Sequence, residues 1–266
     1  MKLLHSMVAV TLCTLVLSCS AESHSGSRPN YVLPEIIKVT SLPDFSAYKD
    51  VTQKKKAFFD FMRPIIQSEN ARVAYTRKRL QTLARSSRYG QHIKDKDAQW
   101  IRDLAVDYKV EMTSIQDEDV WRALLKKVDI VPLKLALAQA ANESSWGTSR
   151  FAREGFNMFG MWCFSKGCGL VPSRRPPEML HEVAVFDSID DSVAAYILHI
   201  NRNKTYKPLR RIRTQMRAEN EKPTALKLAE GLSGYSERGE AYVQELQSII
   251  QSNAALMDGV PVTSKQ

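Results

Sequence analysis

Gln139-Ala140-Ala141-Asn142-Glu143-Ser144-Ser145-Trp146-Gly147, followed ten residues later by Asn157-Met158-Phe159-Gly160, decides how this chain is read. Upstream, Pro132 suits a first helical position, where its missing N–H costs nothing. Leu133 to Ala141 has almost uniformly high helix propensity, with Leu133, Leu137 and Ala140 expected on one buried stripe. Gly147 is the natural stop signal. Glu143 then falls in the last turn, where the negative end of the helix dipole disfavours a second negative charge. Shielding by Trp146 and Phe159 would raise its pKa further and keep a fraction protonated near neutral pH. A protonated glutamate in a cleft is a general acid. An isolated glutamate at a helix end is ordinarily just solvated; the two strings in this order set Glu143 apart.

These strings, within Leu135 to Arg175, resemble the Bax family of bacterial envelope proteins, which belongs with the glucosaminidase-domain peptidoglycan hydrolases. The resemblance is strongest from about Val131 to Ile250. It implies a mainly α fold: a lysozyme-like helical domain with a small β-hairpin lobe and an N-terminal helical extension. It implies that Glu143 is the catalytic acid and that Asn157 lies beside the cleft. Tyr235, after Gly234, resembles the family's tyrosine near the cleft, although Ser236-Glu237 only partly matches the small residues that usually follow it. The implied reaction is cleavage of the β-1,4 bond after N-acetylglucosamine in peptidoglycan, through an oxocarbenium-like transition state.

Glycosidases usually need a second carboxylate. Glu182, on a strand before Phe186, is chosen over Glu178 and Glu154, with a carboxyl separation of about 6.5–9.5 Å and inversion expected. Trp146, Trp162 and Phe164 offer apolar faces to sugar rings, with Phe159 beside them, although packing of the cleft wall explains such residues equally well. Two other readings compete. A lytic transglycosylase also works through a single glutamate, but the Gly-Leu-Met-Gln string usual there is replaced by Asn157-Met158-Phe159-Gly160. A wall-binding lipoprotein without chemistry would have no need of Glu143.

The first eighteen residues read as a secretory signal: Lys2 is the positive n-region, and Met7 to Leu17 is apolar but short for a membrane span. Val16-Leu17-Ser18-Cys19 resembles a degenerate lipoprotein box, with Cys19 lipidated and residues 19–30 a polar tether. The expected location is the cell envelope, in the periplasm and lipid-anchored to the outer membrane. Cleavage a few residues later, without lipid, is the competing possibility. With Cys13 removed and Cys19 lipidated, Cys163 and Cys168 remain as an even pair that can close a short loop, contributing about 2 kcal/mol. Zinc is disfavoured, since His181 and His199 stand alone and no second pair has ligand spacing. No metal and no cofactor is called for.

The formal charge of +9 suits attraction to the carboxylates of peptidoglycan and to anionic lipid. Nucleic acid is the other usual partner of such charge, and an export signal argues against it. The run Arg210-Arg211-Ile212-Arg213, with Arg217 beyond, reads as a solvated helix face.

The expected organisation is a signal at 1–18, the tether at 19–30, a helical extension at 31–128, a catalytic domain at 129–257 and a disordered tail at 258–266. Helices are predicted from about Asp50 to Ala84, with a kink or break at Pro64, then over Lys94 to Tyr108 and Asp117 to Lys127. Beyond Glu143, a loop-rich stretch and a strand at His181 to Phe186 form the β-lobe. Helices then run over Asp190 to Asn201, Pro208 to Glu219, Pro223 to Ala229 and Glu240 to Asn253, with a turn at Gly231 to Tyr235. Lipidation supplies location and not chemistry, so Cys19→Ser should release the protein from membranes after a high-salt wash while leaving it active. Membrane retention of that variant would rule out the lipid anchor.

Overall fold

A computed structural model describes residues 38–173, 175–176 and 178–259. The expected signal, Cys19, the tether and residues 260–266 lie outside that range. Ten helices and a small sheet follow in order: α1 (Val51–Arg88), α2 (Asp95–Asp107), α3 (Glu118–Lys127), α4 (Leu133–Glu143), α5 (Arg150–Gly155), β1 (Trp162–Cys163), β2 (Gly169–Leu170), β3 (Glu182–Ala184), α6 (Ile189–Arg202), α7 (Lys207–Ala218), α8 (Ala225–Ala229), α9 (Glu240–Ser252) and α10 (Ala254–Asp258). The fold is mainly α, as a lysozyme-like domain requires. Among the described residues, no helix is long and apolar enough to cross a membrane.

Half of the helix starts carry the side-chain caps that the sequence offers. The side chains of Asp50, Asp117, Ser188 and Thr224 accept from backbone N–H groups in the first turns of α1, α3, α6 and α8. Pro132 stands at the cap of α4, one position ahead of the expected place. Pro64 does not break α1, which runs through it unbroken. The one backbone bond it removes is outweighed by Phe58, Phe59, Met62, Ile65 and Ile66 on either side, all buried in a single core. The turn expected at Gly231 to Tyr235 is a 3₁₀ helix, Glu230–Tyr235.

α4 is the axis of that core. Leu135 to Ala141 are buried without exception, so the helix has no solvent face where one apolar stripe was expected. α1, α6, α8 and α9 enclose it, and the first half of α1 therefore shares a core with the Glu143 helix. The far half of α1 forms a second apolar cluster with α2 and α3, built on Leu80, Ile101, Leu104, Trp121 and Leu124.

The β-lobe is a three-stranded antiparallel sheet of order β1-β3-β2, not the expected hairpin. The last strand in sequence enters between the other two, pairing Cys163 with Glu182 on one side and Gly169 with Ala184 on the other. A disulfide joins Cys163 to Cys168 across the intervening loop.

The arginine run on α7 is a solvated face only in part, at Arg211 and Arg217. Arg213 is 1% exposed and Arg210 4%. Arg213 donates to the carbonyls of Ile130 and Lys126 at 3.0 and 3.2 Å, while Arg77 donates to that of Val128 at 2.7 Å. The two guanidiniums thus satisfy carbonyls that the end of α3 leaves open. Both arginines also approach the buried carboxylate of Asp129, and Arg217 grips it bidentately at 2.7 Å. Removing the shared anion strands buried cations, whereas Arg217 is half exposed. Asp129→Asn should therefore cost about 3 kcal/mol, a fall of about 6–12 °C in the unfolding midpoint. Arg217→Gln should cost less than half as much; equal thermal shifts would refute this ordering.

Candidate active site

α4 passes from the buried run Leu135 to Ala141 to the partly exposed Asn142 and Glu143, where it ends. The helix stops ahead of Gly147. Ser145, Trp146 and Gly147 follow with φ of 51°, 60° and 76°, three left-handed residues in succession that turn the chain sharply away. Only glycine fits position 147, because a Cβ there would stand 2.5 Å from the Phe45 ring. Ser144 braces the turn, donating to the Ala140 carbonyl at 2.6 Å and accepting from the Gly147 N–H at 2.8 Å.

Glu143 Oε1 accepts a 2.8 Å hydrogen bond from the Tyr242 hydroxyl and a longer one, 3.4 Å, from Asn142. Oε2 faces Gly160, where an added Cβ would lie 3.3 Å away; the missing side chain keeps that oxygen open. Burial drives the Glu143 pKa upward. The bonds from Tyr242 and Asn142 and the charge of Arg238 pull the other way, and Glu245, on α9, pushes it up again. The net direction is up.

Tyr242 belongs to a buried relay. Tyr196 donates to Gln139 Oε1 at 2.6 Å, Gln139 Nε2 donates to the Tyr242 hydroxyl at 3.0 Å, and Tyr242 donates to Glu143. Every donor points toward the carboxylate, so each bond polarises the next. Burial and the neighbouring Glu143 push the Tyr242 pKa far above the ordinary tyrosine value, which keeps its proton in place.

The sequence-predicted residues divide by what they touch. Asn157 is buried and does not line the site directly: its Nδ2 donates to the carbonyls of Met161 and Ala184, and its Oδ1 accepts from the N–H groups of Phe159 and Met161. Its role is to fold the loop that sets Gly160 against Glu143. Phe159 is fully buried, stacked on Tyr196 with centroids 3.9 Å apart, and presents no face to a ligand. Tyr235 donates to the Phe159 carbonyl at 2.8 Å and stacks parallel to Tyr242, bracing the loop from the other side.

Trp146 turns its ring to Phe58 and Phe59 of α1, so it packs where a sugar platform was expected. Trp162 and Phe164 are exposed, at 51% and 74%. Trp162 stacks on His181 at 3.9 Å, and its α-carbon lies within about 7 Å of Gly160, only two residues away along the chain.

Glu182 is not a free carboxylate. Its two oxygens accept from the N–H groups of Gly167 and Gly169 at 3.0 and 2.9 Å. Those bonds hold its pKa below the usual carboxylate range. It closes the loop that the disulfide staples. Among the described residues, the grouping of Cys163, Cys168 and Glu182 has the residue types of a metal site, but its two sulfurs are bonded to each other.

Tyr242 is the side chain at Glu143 that reasoning from sequence missed. It lies 99 positions from Glu143, and an aromatic on the apolar side of α9 reads as core. Gln139 was the available signal: an amide in the middle of a run of Leu and Ala needs buried partners.

A family described as glucosaminidase, mannosyl-glycoprotein endo-beta-N-acetylglucosaminidase, matches residues 118–255. Protein bax of Escherichia coli (strain K12) is 33% identical over 220 residues, covering 83% of this chain and 77% of that protein. No solved structure matches. The family match begins with α3, ends in α10, and so takes in Glu143, the tyrosine relay and the whole β-lobe. With over half the chain matched, and a relative aligned along most of its length, this protein belongs to the glucosaminidase family.

Proposed function

We propose that the protein is a peptidoglycan hydrolase of the cell envelope that cuts the β-1,4 bond after N-acetylglucosamine, with Glu143 as the general acid. The observation that carries this reading is the Glu143 carboxyl itself. Burial raises its pKa above the ordinary carboxylate value, yet its Oε2 is left open by the absence of a side chain at Gly160.

In the proposed reaction, a sugar chain lies over Gly160 with its glycosidic oxygen at Glu143 Oε2. Glu143 gives its proton to the leaving oxygen as positive charge grows on the ring. The Tyr242 hydroxyl then stabilises the carboxylate that forms, supported by Gln139 and Tyr196 behind it. One water is consumed: its hydroxyl joins the anomeric carbon and its proton restores the acid. Trp162 and Phe164 supply exposed rings on the adjoining lobe for sugar faces. We assign Glu182, whose oxygens are committed to backbone, to holding that lobe in shape.

Glu143→Gln should keep the fold and lower sacculus hydrolysis by about a hundredfold to ten-thousandfold, since an amide cannot donate the proton. Retention of most activity would remove Glu143 from the mechanism. Mass spectrometry of the wild-type products should show hydrolysed reducing ends; anhydro ends, lighter by one water, would make the enzyme a lytic transglycosylase. Tyr242→Phe removes a bond that favours ionised Glu143, so the pKa of the acid rises. Activity needs the protonated form, present below that pKa and lost above it. The alkaline limb of the rate profile should therefore move to higher pH. An unmoved limb, or one moved to lower pH, would contradict the relay.

A further inference from the structure

The Glu143 chemistry makes no use of the opposite end of α4. Asp129 sits there, just ahead of the helix, roughly 16 Å along its axis from the acid. Its single carboxylate is shared by Arg77, Arg213 and Arg217. Burial lowers the Arg213 pKa to about 10, which leaves it charged at neutral pH, so three cations face one anion. That imbalance is costly to build into a fold.

Arg77, Asp129 and Arg217, with Arg213 buried behind them, form one wall of a groove of about 890 Å³ between α1, α3 and α7. Arg85, Arg88, Arg122 and Lys126 add to Arg77 and Arg217 along it, against two carboxylates, Glu118 and Asp129. Arg88 and Arg122 have acidic neighbours, Glu118 and Asp119. The side chains of Arg85 and Lys126 have no partner among the described residues. The cleft is the size of a small-ligand site, and its excess charge has no counterion from the protein.

We propose that this groove is a second binding site, for an extended acidic peptide presenting two or more carboxylates. In the wall that chemistry belongs to the peptides carried by the glycan, and this choice of source rests on the hydrolase reading above. Guanidinium forks match planar carboxylates in paired hydrogen bonds, and arginines set along one groove read a row of them. A membrane surface is flat and meets only outward charges, whereas Arg77 and Asp129 lie at the floor. A site placed away from the cleft holds the polymer by its peptides while Glu143 works on the sugar chain.

The full-length chain, purified in mild detergent, would be tested by fluorescence anisotropy with a labelled peptide of alternating glutamate and alanine. The glutamine version, a single-stranded oligonucleotide and phosphatidylglycerol vesicles serve as the other probes. Binding should favour the glutamate peptide, weaken with added salt, and fall about tenfold or more in the Arg85→Glu, Lys126→Glu double variant. Arg85→Ala, Lys126→Ala should show a smaller loss in the same direction, which guards against misfolding of the charge reversals. Glu143→Gln should bind as wild type does.

With active enzyme, the double variant should raise KM on intact sacculi and leave cleavage of peptide-free glycan strands unchanged. Absence of peptide binding, equal binding of the glutamine peptide, or tighter binding of the oligonucleotide or vesicles would overturn the proposal. Glycan cleavage without peptide binding would sink the groove alone. Peptide binding without any glycan cleavage would leave the groove standing and sink the hydrolase.

Discussion

α4 is enclosed on every side, and the rest of the structure follows from that constraint. Seven consecutive residues, Leu135 to Ala141, are buried, and six of them are apolar. The exception, Gln139, must satisfy its amide inside the core, and Tyr196 and Tyr242 do so from α6 and α9. Those bonds fix the rotation of α4 against two neighbours. They also commit the Tyr242 hydroxyl to pointing outward along the helix, where Glu143 is the next acceptor. The polar interaction that stabilises the core is thus the one that orients the carboxyl.

The β-lobe depends on the opposite device, polar side chains spent on backbone. It has only seven residues in strands and almost no core of its own. Asn157 takes four backbone groups, Glu182 takes two, and a disulfide closes the loop between β1 and β2. Such bonds hold a small lobe where apolar burial is scarce. They leave Trp162 and Phe164 at the surface and Gly160 beside the acid. Asn157, Glu182 and Tyr235 therefore shape the site without reaching into it.

Most of the helical body was legible in the sequence, because caps and apolar spacing are local signals. Glu143 was placed correctly in the last turn of α4 for the same reason, with Pro132 and the Ala-Leu run marking the start and course of the helix. Errors arose where the deciding partner is distant. Arg213 in a charged run reads as a solvated face, and only the open carbonyls at the end of α3, 86 and 87 positions away, explain its burial. Glu182 looked available as a second carboxylate because the glycine N–H groups that claim it belong to a loop whose shape the sequence does not disclose. Trp146 stands next to Glu143 in the sequence, and its left-handed backbone sends the ring back to α1, the packing role weighed against sugar contact.

The account rests on a single physical claim, that the fold holds Glu143 as an acid which keeps its proton beyond the ordinary carboxylate range. Carbon-13 NMR of protein labelled at the glutamate side-chain carboxyl would follow that titration directly, with Glu143→Gln identifying the signal. The account predicts a midpoint above the ordinary value of 4.5 in wild type, and one higher still when the Tyr242 hydroxyl is removed. A Glu143 midpoint at or below 4.5 would contradict it.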